Sequence, residues 1–82
     1  MMEPRVEEQV RRIIAVELQC APGDVRSGVS LRKDLGMDSV AAINIVFAIE
    51  ENFGIRFPEA ELEKVDNMEQ VLRLVSDYGS RM

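Results

Sequence analysis

Hydrophobic positions near the start of the chain recur with the period of an amphipathic helix. They are spaced at i, i+4, i+7, i+8 and i+12 and form one apolar stripe: Val6, Val10, Ile13, Ile14 and Leu18. Pro4 suits the first helical position, where a missing N–H has no partner. Glu7 and Glu8 stand four residues before Arg11 and Arg12, a spacing of opposite charges that stabilises a solvated helix face. The pattern predicts a first helix that begins near Pro4.

A second helix is predicted from Ser39 to Phe53. Asp38 is suited to cap its start, and Gly54 is suited to end it at the C′ position. The β-branched residues between Ile43 and Val46 would also suit a strand. The flanking caps and the length of the segment favour a helix.

Two more helices are predicted in the last third of the chain. Pro58 starts a short one that extends to about Lys64. Asn67 and Gln70 are spaced as a capping box and start the last helix. The apolar residues of this helix have helical spacing: Met68, Val71, Leu72, Val75 and Tyr78.

Residues 19–37 form a long connection without a clear hydrophobic period. Pro22-Gly23 ends any continuation of the first helix, and Ser30 is suited to start a short turn. Apolar residues are expected to pin the connection over the helices: Val25, Val29, Leu31, Leu35 and Met37. The elements predict a single all-α domain over residues 1–82. We expect a small four-helix bundle of three longer helices and one short helix, with the long loop between helices 1 and 2.

The second helix carries more apolar surface than one core-facing side requires. Residues at 100° per step place one set toward the core: Ala42, Ile45, Val46, Ile49 and Phe53. Val40 and Phe47 fall on another side, and Ile43 lies between the two arcs. Val40 and Phe47 either contact a partner or pack under the long loop, and the sequence leaves both interpretations open.

Composition and charge exclude several classes of function. Fifteen acidic and ten basic residues give a net charge of −5, which disfavours nucleic acid, because phosphate binding takes clustered Lys and Arg. The chain has no histidine and one cysteine, Cys20, so a Cys/His zinc site, an internal disulfide and a His-based catalytic pair are excluded. Cys20 is best explained as a small apolar residue at the end of the first helix. No apolar run approaches the roughly 20 residues that span a bilayer, and the first residues lack the apolar core of a signal peptide. We expect a cytoplasmic monomer without metal, nucleic-acid partner or stable membrane insertion.

Ser39 stands at the predicted start of the second helix. Free N–H groups and the helix dipole favour an anion there, including a phosphate ester on a serine hydroxyl. Asp38 or Ser39 can equally serve only as a helix cap. From these two residues alone, the simple cap is the better supported interpretation.

The segment Asp34-Leu35-Gly36-Met37-Asp38-Ser39-Val40 resembles the D-L-G-x-D-S-L signature of acyl carrier proteins. A second segment, residues 48–55 followed by Phe57-Pro58, looks like the A-L-E-E-x-F segment of that family and the I/F-P pair after it. The helix order and the long first loop also agree, so the resemblance covers nearly the whole chain.

The resemblance implies a carrier that catalyses no reaction itself. A separate phosphopantetheinyl transferase would attach 4′-phosphopantetheine from coenzyme A to Ser39. The thiol of this arm would hold an acyl group as a thioester for delivery to enzymes of fatty-acid, lipid or secondary-metabolite biosynthesis. Such acyl-transferring and acyl-modifying enzymes dock through basic patches, and the implied partner-binding residues are Asp38, Val40, Phe47, Glu50 and Glu51. The family's acyl cleft lies largely between the second and third helices, and its candidate residues here are Ile43, Val46, Phe47, Ile55, Leu62 and Val65.

Two departures from the family pattern are informative. Carriers of the central fatty-acid pathway usually have acidic residues two and five positions after the serine, where this chain has Ala41 and Asn44. Fewer charges predict weaker contact with generic partners, which favours a specialised carrier over the main fatty-acid carrier. A different class of function, an unmodified helical adaptor that docks through Val40 and Phe47, is the alternative. Such an adaptor would not accept a prosthetic arm.

Overall fold

The computed structural model of the protein describes residues 4–58, 61 and 64–79. Within these ranges it contains three α-helices and no strand: α1, Pro4–Leu18; α2, Ser39–Phe53; and α3, Met68–Gly79. This architecture confirms the predicted all-α class, and the predicted start and end of α2 are those observed.

The predicted short helix between Pro58 and Lys64 lies in large part outside the described residues. Its described part consists of two turns. The N–H of Glu61 donates to the Pro58 carbonyl (3.0 Å), and the N–H of Lys64 donates to the Glu61 carbonyl (3.3 Å). The fourth helix therefore stays a prediction.

Helix α1 begins where Pro4 predicts and ends without a glycine. Gln19 adopts a left-handed conformation with φ of +56°. The N–H of Cys20 donates to the Ala15 carbonyl (3.0 Å), and the N–H of Gln19 donates to the Val16 carbonyl (3.3 Å). These two bonds form a Schellman motif, which satisfies carbonyls at a helix end. The helix consequently stops before Pro22 is reached.

The charged face of α1 forms the predicted ion pairs. Arg11 lies 3.0 Å from Glu7, and Arg12 lies 3.4 Å from Glu8. Arg11 also donates from Nε to the Val25 carbonyl (2.9 Å). This last bond fastens the long connection to α1.

The core draws residues from all three helices and from the segments between them. Val10 and Ile14 of α1 are fully buried, as the predicted stripe requires. They pack with Ala15 of the same helix and with residues of α2, α3 and the connecting segments: Val25, Leu31, Met37, Ile45, Ile49, Ile55, Met68, Val71 and Val75. No polar side chain among the described residues is buried. The fold therefore depends on apolar packing at its centre and on hydrogen bonds at its surface.

The long connection is pinned over the helices by four of the five predicted apolar residues, whereas Val29 is half-buried and lies outside the core cluster. Val25, Leu31 and Met37 are buried in the core, and Leu35 packs against it. A single 3₁₀ turn, Pro22–Asp24, occupies the Pro-Gly segment. The chain thus reaches the start of α2 along a fixed path.

A capping box starts α3, as the sequence predicts. The N–H of Gln70 donates to Asn67 Oδ1 (2.9 Å), and Gln70 Oε1 accepts from the N–H of Asn67 (3.2 Å). Gln70 Oε1 also accepts from the N–H of Asp66 (2.6 Å). Asn67 and Gln70 therefore fix the loop before α3 as well as the helix itself.

Candidate functional site

The start of α2 is capped by Asp38. Its Oδ1 atom accepts a hydrogen bond from the N–H of Ala41 (2.8 Å), and its carbonyl accepts from the N–H of Ala42 (2.9 Å). Gly36, two residues earlier, has φ of +73°, a conformation that glycine adopts without steric cost. Asp38 therefore fulfils the capping role that the sequence assigned to either Asp38 or Ser39.

Ser39 is left with no structural task that the described residues reveal. It is exposed as the first residue of α2, and its hydroxyl forms no hydrogen bond with any residue the structure describes. The N-terminus of a helix favours a phosphate because its first N–H groups lack intrahelical partners and its dipole is positive there. Ser39 thus presents an accessible hydroxyl at a position that tolerates a bulky anionic substituent, so the site fits a phosphate ester.

An apolar stripe on α2 continues from Ser39 along the exposed side of the helix. Val40 is 66%, Ile43 48% and Phe47 60% exposed, and their i, i+3, i+7 spacing places them on one face. We call these three residues the exposed stripe. Their exposure excludes the interpretation in which Val40 and Phe47 pack under the long loop. A contiguous apolar face beside an accessible hydroxyl is suited to contact with another protein.

Acidic residues occur only at the two ends of α2: Asp38 caps its start, and Glu50 and Glu51 lie near its end. No charged residue occurs between Asp38 and Glu50. Glu51 is exposed, whereas Glu50 is half-buried and its Oε2 atom accepts from the N–H of Phe57 (2.9 Å). This bond ties the segment after α2 back to the helix. The Glu50 carboxylate is thus engaged within the protein, which its sequence context did not indicate.

An apolar cavity of about 20 Å³ lies between α2, α3 and the connecting segments. Its walls include Leu31 and Met37 from the long connection, Val46 from α2, and Phe57 and Val65 from the segment before α3. Such a volume holds about one water-sized probe. The cavity is therefore a small defect in packing.

The predicted acyl-cleft residues occupy different places. Val46 and Val65 line the cavity, whereas Ile43 belongs to the exposed stripe. Ile55 is buried and borders an open hollow of about 430 Å³ together with Phe47. Leu62 lies outside the described residues. The structure thus brings two of these six residues, Val46 and Val65, together with Leu31, Met37 and Phe57, which helical spacing alone could not associate with them.

A group of hydrogen bonds joins the long connection to the loop before α3. Ser30 Oγ donates to the Asp66 carboxylate (2.8 and 3.0 Å), and the N–H of Arg32 donates to Asp66 Oδ1 (3.1 Å). The N–H of Leu31 donates to the Asp66 carbonyl (2.6 Å). We call these bonds between residues 30–32 and Asp66 the clasp. The bond from Ser30 and that from the Arg32 N–H hold the pKa of the Asp66 carboxyl below its ordinary value, and the charges of Arg32 and Lys33 act in the same direction.

Cys20 has the character that its apolar setting predicts. It packs partly buried against the core at the end of α1. Burial raises the pKa of its thiol, and the negative charge of Asp24 adds to the effect. A raised pKa disfavours the reactive thiolate, so Cys20 fits a packing role.

The described residues hold no group of three or more side chains suited to bind a metal ion. None of the described helices is long and apolar enough to span a bilayer.

The chain matches a known protein-family model. The family model described as "Phosphopantetheine attachment site" covers residues 8–75, from the first turns of α1 to the middle of α3. Domains of this family are sites of covalent 4′-phosphopantetheine attachment. The match confirms the resemblance that the sequence indicated.

Proposed function

Because the chain belongs to the phosphopantetheine attachment site family, we propose that it carries acyl groups as thioesters on a 4′-phosphopantetheine arm attached to Ser39. The observation that carries this proposal is the state of Ser39, which is exposed at the start of α2 with its hydroxyl unused by the described residues. Asp38 supports it, because a separate residue caps the helix. Modification of Ser39 would therefore leave the helix start intact.

This chain supplies the attachment residue and holds it in place, and its partner enzymes supply the catalytic groups. The Ser39 oxygen attacks the pantetheine-bearing phosphate of coenzyme A and forms a phosphodiester, while the pyrophosphate bond breaks and adenosine 3′,5′-bisphosphate leaves. A phosphopantetheinyl transferase supplies the base that takes the serine proton, since the chain has no histidine. When attached, the arm supplies a terminal thiol that holds the acyl group as a thioester. Helix α2 holds Ser39 at a fixed point on a rigid element. Tethering then gives the acyl group a high effective concentration at a partner's active site.

The exposed stripe is the proposed docking surface for the transferase and for acyl-transferring enzymes. An enzyme that acts at Ser39 must cover the start of α2, and Val40 is the next residue along the chain. Next to the stripe, this chain has Ala41 and Asn44 at the two positions where carriers of the central fatty-acid pathway usually have acidic residues. Docking therefore relies on apolar contact there. Asp38 and the exposed Glu51 supply negative charge at the two ends of α2, where a basic patch on the partner can pair with them.

This uncharged stripe supports a specialised carrier rather than a general fatty-acid carrier. Exposed ion pairs contribute about 0–1 kcal/mol each, so two missing acidic residues weaken docking to a strongly basic partner severalfold. A ketosynthase of general fatty-acid synthesis is expected to turn over the acylated protein slowly. Turnover at the rate of that enzyme's own carrier would contradict the specialised role.

Loading with an acyl group tests the carrier role directly. The unmodified protein is incubated with octanoyl-coenzyme A and a broad-specificity transferase, then treated with neutral hydroxylamine and weighed as intact protein. Hydroxylamine cleaves thioesters and spares phosphodiesters, so we expect release of the octanoyl group and retention of the arm. Ser39→Ala is expected to gain no mass. A folded wild-type protein that gains no adduct even with its own transferase would favour the adaptor instead.

A further inference from the structure

The apolar cavity is too small for an acyl chain unless one of its walls moves. Its volume is about 20 Å³, whereas a dry apolar cavity that binds benzene measures about 150 Å³. Several methylene groups therefore need a severalfold larger space than this structure provides. The wall that yields at the lowest cost determines how the cavity opens.

The walls differ in what holds them. On the α2 side, Ile45 and Ile49 are 3% and 1% exposed and belong to the core, so moving them exposes apolar surface to water. On the opposite side, Leu31 and Val65 line the cavity and stand at the two sides of the clasp. Leu31 bonds to Asp66 across the clasp, and Val65 directly precedes Asp66. Leu31 is itself 1% exposed, so core packing holds it as it holds Ile45 and Ile49, whereas Val65 is only half-buried. On the Val65 side the wall is held mainly by the partly buried hydrogen bonds of the clasp, and such bonds are replaced by bonds to water at a small net cost. The Val65 side of the clasp is therefore the easier wall to open.

The clasp is also linked to the segment that carries Ser39. The Leu31 N–H bonds to the Asp66 carbonyl (2.6 Å), and the Leu31 carbonyl accepts from the N–H of Met37 (2.8 Å). Met37 lines the cavity and precedes Ser39 by two residues. A single path of hydrogen bonds thus runs from Asp66 through Leu31 to the start of α2.

We propose that the clasp is the gate of the apolar cavity: it opens to admit an acyl chain, and Ser30 and Asp66 set how readily the chain is sheltered. The inference rests on the proposed function, because the chain reaches the gate from an arm on Ser39. Val65 moves with the gate, since its half-buried side chain lines the cavity and it directly precedes Asp66. Leu31 stays in the core, and its N–H loses its bond to the Asp66 carbonyl when the gate opens. Ser30 and Asp66 act as positioning residues and do not touch the reacting thioester.

Amide hydrogen exchange tests the gate in the acylated protein. The protein with the arm alone is compared with the octanoyl form. We expect exchange of the Leu31 N–H to accelerate about fivefold or more in the octanoyl form, because its partner across the clasp is withdrawn. The N–H of Gly54, which bonds to Glu50 outside the clasp (2.8 Å), serves as the internal reference and is expected to stay unchanged. Unchanged or slower exchange at Leu31 would overturn the gate.

A second experiment uses the unmodified protein and therefore does not depend on Ser39. Benzene is titrated into wild type, Asp66→Asn and Asp24→Asn, and the methyl NMR signals of Leu31 and Val65 are followed. Asp24 is the matched control, because its carboxylate accepts a local bond from the N–H of Ala21 (3.2 Å) in the same connection and does not line the cavity.

Asp66→Asn is expected to respond at a severalfold lower benzene concentration than the other two proteins. Equal responses in all three would contradict the gate. A response confined to Asp66→Asn in a protein that no transferase modifies would contradict the proposed function and leave the gate supported.

Discussion

Asp38 and Ser39 are adjacent residues with separate tasks. Asp38 uses its carboxylate to cap α2, whereas the Ser39 hydroxyl is exposed and makes no bond within the described structure. A serine that capped the helix would lose its bond on modification. Here the division of tasks lets Ser39 be esterified without cost to the helix start.

This division predicts that two single substitutions change the free energy of unfolding by different amounts. Asp38→Ala removes the cap and is expected to lower the free energy of unfolding by about 1 kcal/mol. Ser39→Ala removes no bond within the described structure and is expected to change it by less than about 0.5 kcal/mol. Urea unfolding of the unmodified proteins measures both values. A larger loss in Ser39→Ala than in Asp38→Ala would restore the cap as the main role of Ser39.

Helix α2 serves the core with one side and other proteins with another. Ile45 and Ile49 are buried, while the exposed stripe faces outward next to Ser39. Helical spacing separates these two sides, but the sequence left open whether Val40 and Phe47 are exposed or packed under the long loop. The sequence also could not predict that Glu50 is engaged within the protein, because the bond from the N–H of Phe57 to Glu50 depends on the path of the chain after Gly54.

Substitution in the exposed stripe is expected to slow phosphopantetheine transfer without a matching loss of stability. Phe47→Ser is expected to lower kcat/KM for phosphopantetheine transfer about tenfold, because the transferase loses an apolar contact of a well-exposed aromatic ring. Val16→Ser is the matched control, since Val16 is 76% exposed on α1 and lies outside the stripe. Steady-state kinetics and urea unfolding are measured for both variants. Equal losses of kcat/KM in the two would refute docking through the stripe.

Across the whole molecule, contacts between neighbours in sequence were predictable, and contacts between distant segments were not. Asp38 with Ala41 and Asn67 with Gln70 are three residues apart and follow known capping patterns. Ser30 and Asp66 are 36 residues apart, and neither the periodicity nor a motif associates them. Helix α1 ends at Leu18, where the predicted connection begins. The Schellman motif that ends it was not predictable, because Gln19 adopts a conformation usually taken by glycine.

The clasp makes the stability of the whole domain depend on pH. The pKa of Asp66 in the folded protein is lowered from its ordinary value of 3.8, first by the bond from Ser30 and then by the N–H of Arg32. The ionised Asp66 carboxylate therefore stabilises the folded protein fully above the ordinary pKa, and this stabilisation is lost as the pH falls through the lowered pKa. Asp66→Asn has no carboxylate at this position, so its stability does not depend on this titration. We expect the difference in free energy of unfolding between wild type and Asp66→Asn to become smaller as the pH falls.

Urea midpoints from about pH 6 down to about pH 3 measure this gap. Asp24→Asn, which replaces an acidic residue of the same connection and leaves the clasp intact, is measured as the control. A gap between wild type and Asp66→Asn that stays constant with pH would mean that the charge of Asp66 does not stabilise the clasp.

The intact mass of the protein after incubation with coenzyme A and a phosphopantetheinyl transferase tests the central claim most directly. Wild type and Ser27→Ala, in which an exposed loop serine is replaced, are expected to gain one phosphopantetheine each, and Ser39→Ala is expected to gain none. Modification of Ser39→Ala, or no modification of a folded wild-type protein by any transferase including its own, would contradict the assignment of Ser39 as the attachment residue.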